Sequence, residues 1–240
     1  MPNLSYPNES EDYRTARNAL LDAEIALRAQ IEAVAAQRRA LPPGGETPED
    51  YLFDRIGDNL MPEKVRISQL FGRHDTLILY SFMYGPDRDK PCPGCAHMLD
   101  SINGGAVHAE RRAAIFIVAK SPLARLQKLA QDRAWGNLRF LSTAGNSYDA
   151  DYFGDTSMLS TEMRAARGIA DGENWDETMF NVFRRDKDGT IRHFWGSELS
   201  FAPEEPGQHH RSGDSVNALW GLLDMTPDGR GDFFPSLRYD

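Results

Sequence analysis

The sequence has little cysteine, fewer basic than acidic residues, and no long apolar run. Only two cysteines, Cys92 and Cys95, occur among 240 residues. No disulfide framework can be built from one pair spaced this closely, and a chain of this length buries enough surface to fold without one. Lysine and arginine number 27 against 36 aspartates and glutamates, a net charge of −9. Such a chain is poorly suited to gripping nucleic-acid phosphates over a broad surface, so no nucleic-acid partner is expected. The longest apolar stretches, Leu77–Met83 and Ala113–Ala119, have the length of strands. They fall well short of the ~18 residues a membrane span needs, so no membrane partner is expected either. Residues 1–10 carry no basic region followed by an apolar core, so no export signal is read and the expected compartment is the reducing cytoplasm. Also missing are internal repeats, a P-loop, a Rossmann fingerprint, an EF-hand loop and a Gly-x-Ser-x-Gly elbow.

What is present reads first as one long helix over residues 9–41. Tyr13, Leu20, Leu27, Val34 and Leu41 recur every seven residues, with Ile31 beside them. Ser10 is the expected N-cap, and Pro42-Pro43-Gly44-Gly45 stops the helix. This gives an N-terminal helical extension, residues 1–45, ahead of a domain over residues 46–240. The stripe suits packing against its own domain. A homodimer through the heptad seam is the other reading, although Glu24 and Arg38 interrupt it.

Residues 46–75 read as a connection, with a short amphipathic piece at Tyr51–Ile56, a short strand near Val65–Ile67 and a turn at Ser68–Gly72. Thr76–Tyr84 is apolar on both faces, as in a strand covered on each side. A polar loop, Gly85–Pro91, leads to a helix from Cys92 to about Asn103, ended at Gly104-Gly105. A strand over Ala113–Ala119, a helix from Leu123 to Arg133 and a strand over Leu138–Ser142 complete a parallel α/β layer. Residues 144–176, rich in Gly, Asn and Asp, form an irregular insertion with a helix expected within Met158–Ala170. Thr178–Arg184 and Thr190–Trp195 flank Asp188-Gly189, a hairpin signal. Val216–Leu223 reads as a closing helix.

The chemistry centres on Cys92-Pro93-Gly94-Cys95. The motif follows a buried strand and a loop, opens a helix, and is followed by βαβ, a hairpin and a helix. That is the element order of the thioredoxin-like α/β fold, a central mixed sheet flanked by helices. The thiolate is the reactive form of cysteine, and the free N–H groups and dipole of a helix N-terminus favour it. Pro93 sits early in the helix, where a missing N–H costs nothing. Cys92 is therefore the expected attacking thiolate and Cys95 the resolving thiol, working through a mixed disulfide. Pro93 and Gly94 lie where a bound thiol or disulfide substrate would pass. The cysteine pair carries the electrons, so no dissociable cofactor is expected. The expected partners are a protein or small-molecule thiol or disulfide and a recycling reductant. Arg88 and Lys90 favour the thiolate while Asp87 and Asp89 oppose it, and sequence does not sum these charges.

Other readings of the pair stay open. It could be inert in a binding module. It could be half of a zinc site, although His97 points to the far side of the helix from Cys95 and His108 follows the glycine pair. Cys92 and Cys95 with His209 or His210 could hold copper or another metal. A peroxidase reading is weaker, because Asp89 stands three residues before Cys92, where peroxiredoxin-like nucleophiles have Thr. Ser197, His193 and the Arg111-Arg112 pair read as structural or solvated residues.

Arg38-Arg39-Ala40-Leu41-Pro42, Tyr51-Leu52-Phe53-Asp54, Phe82-Met83-Tyr84-Gly85-Pro86, Pro91–Cys95, Phe194-Trp195-Gly196-Ser197-Glu198 and Leu222–Arg230 together resemble a bacterial family of unknown function. Its members are described as predicted dithiol–disulfide oxidoreductases of thioredoxin-like fold. The resemblance covers nearly the whole chain and implies that fold and that class of chemistry. Two features depart from thioredoxin itself. The motif is Cys-Pro-Gly-Cys rather than Cys-Gly-Pro-Cys. The stretch Asp176-Glu177-Thr178-Met179 has no proline, so Thr178 takes the place where thioredoxin sets a cis-proline against the substrate.

Overall fold

The computed structural model describes residues 4–57, 59–209 and 211–239. The chain divides into two compact units, one ending at Pro43 and one beginning at Gly44. The first is dominated by helix α1 (Glu11–Arg39), whose N-cap Ser10 accepts a hydrogen bond from the Tyr13 amide at 3.1 Å. Glu11 and Asp12 in the first turn and Arg38 and Arg39 in the last complement its dipole. The stripe predicts a helix packed on its own domain, yet α1 buries none of its residues. One large apolar side chain per seven residues is a narrower stripe than a core-facing helix needs.

The second unit is built on a seven-stranded sheet in the order β2-β1-β5-β4-β3-β6-β7. Strands β1 (Leu52–Ile56) and β2 (Pro62–Arg66) form an antiparallel hairpin at one edge. In sequence Tyr51–Ile56 reads only as an amphipathic piece; the structure makes Leu52–Ile56 a strand. Short helix α2 (Ile67–Leu70) follows, occupying positions that read as part strand and part turn. Strand β3 (Thr76–Ser81) lies parallel to β4 (Ala114–Ala119), which lies parallel to β5 (Phe140–Ser142). Helices α3 (Pro93–Ala109) and α4 (Leu123–Asp132) make the crossovers. Strand β6 (Met179–Arg185) runs antiparallel to β3, and β7 (Ile191–Gly196) antiparallel to β6. The order β4-β3-β6-β7, with a closing helix after β7, is the thioredoxin-like core. β1, β2 and β5 extend it at one edge.

Both faces of the central strands are covered. Leu77 and Leu79 of β3 enter one core with Tyr51, Phe53, Phe116 and Tyr148. Tyr80 and Phe82 enter the other with Cys95, Leu99, Leu126 and Trp135. That double burial explains the continuous apolar run of β3 and the six buried positions of β4. The β6–β7 turn closes as the sequence predicts, with Gly189 at φ +90° and the Asp186 amide donating to the Thr190 carbonyl at 2.8 Å.

Helix α3 does not stop at Gly104-Gly105 but runs on to Ala109. Each glycine costs up to about 1 kcal/mol in a helix interior, and burial of Leu99 and Ala106 on the same helix outweighs that. The stretch 144–176 contains two short helices, α5 (Tyr148–Asp151) and α6 (Thr161–Ala166), the second shorter than expected. After β7 come two 3-10 turns and helix α7 (Ala218–Asp224). The N-cap Asn217 of α7 accepts from the Leu219 amide and lies 2.7 Å from His97 Nε2 of α3, tying the two helices together.

Candidate dithiol site

The loop between β3 and α3 is fixed before it reaches the cysteines. The Asp176 carboxylate accepts from the Gly85 amide at 2.6 Å and from Arg88 Nε at 3.2 Å. Arg125 of α4 donates to the Gly85 carbonyl at 2.9 Å and to the Arg88 carbonyl, and its guanidinium lies 3.9 Å over the Tyr84 ring. The Ser121 hydroxyl donates to the Tyr84 carbonyl. These contacts hold the polar loop against the C-terminal ends of β3 and β4, where the motif begins.

Cys92 is the N-cap of α3 and Pro93 its first residue. The Cys92 amide donates to the Met83 carbonyl at 3.1 Å, and the Cys92 carbonyl accepts the first helical bond from Ala96 at 2.9 Å. Proline at this position loses no bond, because the first helical N–H has no partner inside the helix. Cys92, Pro93 and Gly94 are half-buried and Cys95 is buried. Both thiols are free. A Cβ on Gly94 would lie 3.2 Å from the Phe234 ring and 3.9 Å from Cys92 Sγ, so the C-terminal segment lies over the motif at this point. Beside it opens a cavity of about 930 Å³, lined in part by Lys90, Pro91, Pro93, Arg133, Leu237 and Arg238.

The two sulfurs have opposite electrostatics. The Cys92 thiol is lowered to about 6, chiefly by a hydrogen bond from Cys95. The backbone N–H groups of Cys95 and Gly94 and the charge of Arg88 add to this, and partial burial opposes it. The Cys95 thiol is pushed well up because it is the donor to Cys92 and because it is buried. Of the charged residues of the loop, Arg88 adds to the lowering of Cys92.

Thr178 is brought to the same place, and by an indirect route. Its hydroxyl donates to the phenol oxygen of Tyr80 at 2.9 Å, and Tyr80 belongs to the same buried core as Cys95. Tyr80 is fully buried, and burial raises its own pKa well above the ordinary tyrosine value. Sequence reasoning missed Tyr80, which sits inside an apolar strand with nothing to mark it. It also missed Arg125 and Asp176, which lie 37 and 88 residues from Arg88.

The other named residues sit apart or serve the fold. The His209 ring lies 5.6 Å from the Trp220 ring, with Nδ1 3.3 Å from Arg230 Nη1. His210 lies outside the described residues. Among the described residues, no three His, Cys, Asp or Glu side chains come together as a metal site. His193 is half-buried between Tyr152 and Phe183, with Nε2 3.0 Å from Asn181 Oδ1. The buried Ser197 hydroxyl accepts from the Phe180 amide at 2.9 Å. Among the described residues, no helix is long and apolar enough to cross a membrane.

Residues 3–238 match the bacterial protein family of unknown function DUF899. The chain belongs to that family. A comparison with curated proteins returns no match. Among solved structures, it is similar to the peroxidoxin BcpB of Mycobacterium tuberculosis, at 18% identity over 74% of this chain and 95% of that one, with a TM-score of 0.43. It is also similar to a putative thioredoxin reductase of Burkholderia cenocepacia, at 13% identity over 78% and 98% of the two chains, with a TM-score of 0.44. A third is the mitochondrial 2-Cys peroxiredoxin of Plasmodium falciparum, at 13% identity over 72% and 93%, with a TM-score of 0.39.

Proposed function

We propose that this member of a family without an assigned activity is a thiol–disulfide oxidoreductase, with Cys92 as nucleophile and Cys95 as resolving thiol. The observation that carries the reading is the contrast between the two sulfurs. A half-buried thiol at a helix N-terminus is held near 6 by a donor two residues further on than its neighbour Pro93, and that donor, Cys95, is itself buried. This division suits exchange. The thiolate attacks one sulfur of a substrate disulfide and expels the other as a thiolate. Cys95 then attacks the mixed disulfide, closes Cys92–Cys95 and releases the second substrate thiol. Two electrons pass from the dithiol to the substrate disulfide, and a recycling thiol reductant returns them.

The substrate is a protein or small-molecule disulfide, or in the reverse direction a dithiol. Its chain would pass Pro93, Gly94 and Thr178, with the cavity beside Lys90 and Arg238 taking the portion beyond the sulfur. No further cofactor is needed, because the sulfurs supply the electrons. We place the reaction in the reducing cytoplasm, where a cysteine pair is kept for catalysis rather than for structure. We further propose that the protein is a homodimer through α1, whose Leu20 and Leu27 are 53% and 60% exposed.

Trapping tests the reading. Cys95→Ser should accumulate mixed disulfides through Cys92, and Cys92→Ser should accumulate none and lose exchange activity. Absence of any trapped species in the Cys95→Ser variant, with the protein folded, would count against exchange.

A further inference from the structure

The cavity beside the motif carries charge of the sign opposite to that of the chain as a whole. At about 930 Å³ it has the volume of a small-molecule site. Pro91 and Pro93, on either side of Cys92, form part of its wall. Among the described residues, the charged ones that line it are Lys90, Asp132, Arg133 and Arg238. Two of these are already paired. The Asp132 carboxylate accepts from Lys128 at 2.9 Å, one turn back on α4. The Arg133 guanidinium donates to the Asp100 carboxylate at 2.6 Å and to the Leu237 carbonyl at 3.0 Å. Trp135 Nε1 donates to the other oxygen of Asp100 at 2.7 Å, and Leu237 packs against the core that contains Cys95. The C-terminal segment is thereby pinned as a wall of the cavity, and Arg238 is carried on it. Lys90 and Arg238 are left over. Among the described residues, neither has an ion pair or a hydrogen bond. A chain with a net charge of −9 thus holds two unpaired cations beside its cysteine motif.

We propose that this cavity sets the substrate class: it takes the carboxylate of a small anionic disulfide, with Lys90 and Arg238 as the binding residues. The inference rests on the exchange reading of the same site and names what that reading leaves open. An ammonium and a guanidinium with open donor positions are the groups that recognise a carboxylate. Their place on the cavity wall, with Pro91 and Pro93 between them and the reacting sulfur, suits a carboxylate a few bonds from the disulfide. The rest of the acidic chain repels an anion, so these two cations decide the sign of the preference. In the reaction, the Cys92 thiolate bonds to the nearer substrate sulfur and the substrate S–S bond breaks, releasing one thiolate. Cys95 then bonds to Cys92, the Cys92–substrate bond breaks, and the second substrate sulfur leaves with the proton that Cys95 gives up. Two electrons pass from the dithiol to the disulfide.

The test is the rate at which three small disulfides of similar size oxidise the full-length reduced protein at neutral pH and low ionic strength, read by loss of alkylatable thiol. The probes are dithiodipropionate, its uncharged diamide and the cationic cystamine. Wild type should react with the dicarboxylate about fivefold faster than with the diamide, the size expected of two exposed cation–carboxylate contacts, and slowest with cystamine. In the Lys90→Gln/Arg238→Gln double variant the ratio of dicarboxylate to diamide should fall to one or below, with each single variant between. Lys90 is two residues from Cys92, and a change in thiolate reactivity scales all three rates alike, so the ratio removes it. Both side chains are exposed, and added salt, which should shrink the wild-type ratio, reads the same cations without a mutation. A wild-type ratio of one or less, or a preference that survives both the double variant and salt, overturns the inference while leaving exchange standing. A pair that none of the three probes oxidises overturns the exchange reading, and the inference falls with it.

Discussion

Asp176 binds the backbone of Gly85 at 2.6 Å although 91 residues separate them. That single carboxylate joins the start of the loop before the cysteines to the segment before β6. It also receives Arg88, whose charge favours the Cys92 thiolate. The segment carrying Thr178 is thus registered against the loop carrying the nucleophile, and the geometry of the site follows from contacts distant in sequence.

Cys92 should react as a thiolate well below the pH of an ordinary cysteine. The reactive form is the deprotonated one, so alkylation is nearly complete in rate above pH 7, half-maximal near pH 6 and lost as the pH falls further. Cys95 should stay unreactive across the same range, because it is buried and its thiol is raised. Peptide mapping after brief alkylation at several pH values separates the two.

The buried Asp149 should make stability fall with rising pH. Burial raises its carboxyl to about 6, against a hydrogen bond from the Thr143 hydroxyl and the charge of Lys120. An acid whose folded pKa lies above the unfolded value near 3.9 favours the fold below about pH 4. That contribution is lost as the pH rises through 6. Asp149→Asn removes the charge and offers a donor near the buried Ser81 hydroxyl, which lacks a partner. Urea unfolding should show the variant more stable than wild type by about 1–3 kcal/mol at pH 7.5, with the gain shrinking toward pH 5.

Gly104 and Gly105 should each be improved by alanine. Both lie exposed within α3, and a Cβ at either meets nothing within 4 Å. Each Gly→Ala change should add about 0.5–1 kcal/mol of stability, read by chemical denaturation, with thiol reactivity unchanged.

The homodimer through α1 predicts a mass near twice 26.9 kDa by light scattering. Leu20→Glu with Leu27→Glu should return the chain to a monomer without altering the exchange site. A monomeric wild type at tens of micromolar would remove the proposal.

Legibility in the sequence followed burial pattern and local chemistry. β3 and β4 declared themselves because strands covered on both faces are apolar throughout. The Asp188-Gly189 turn and the Pro93 helix start were readable because their backbone requirements are local. The edge hairpin was not: Asp54, Arg55, Glu63 and Lys64 pair across β1 and β2 as ions, and alternating charges hide a strand. Gly104-Gly105 predicts the end of α3, but exposed glycines stop a helix only when packing does not hold it, and α3 runs on to Ala109. The cysteines were legible from their spacing. Tyr80 was not, since the segment just before β6, which carries Thr178 to its hydroxyl, lies 98 residues away in the chain.

A redox titration of the pair in defined thiol–disulfide buffers, read by the mass added on alkylation, tests the central claim most directly. Exchange predicts a reversible two-electron couple between Cys92 and Cys95 at about −200 to −300 mV, near the cytosolic poise. A pair that never closes, or never reopens across that range, would contradict it.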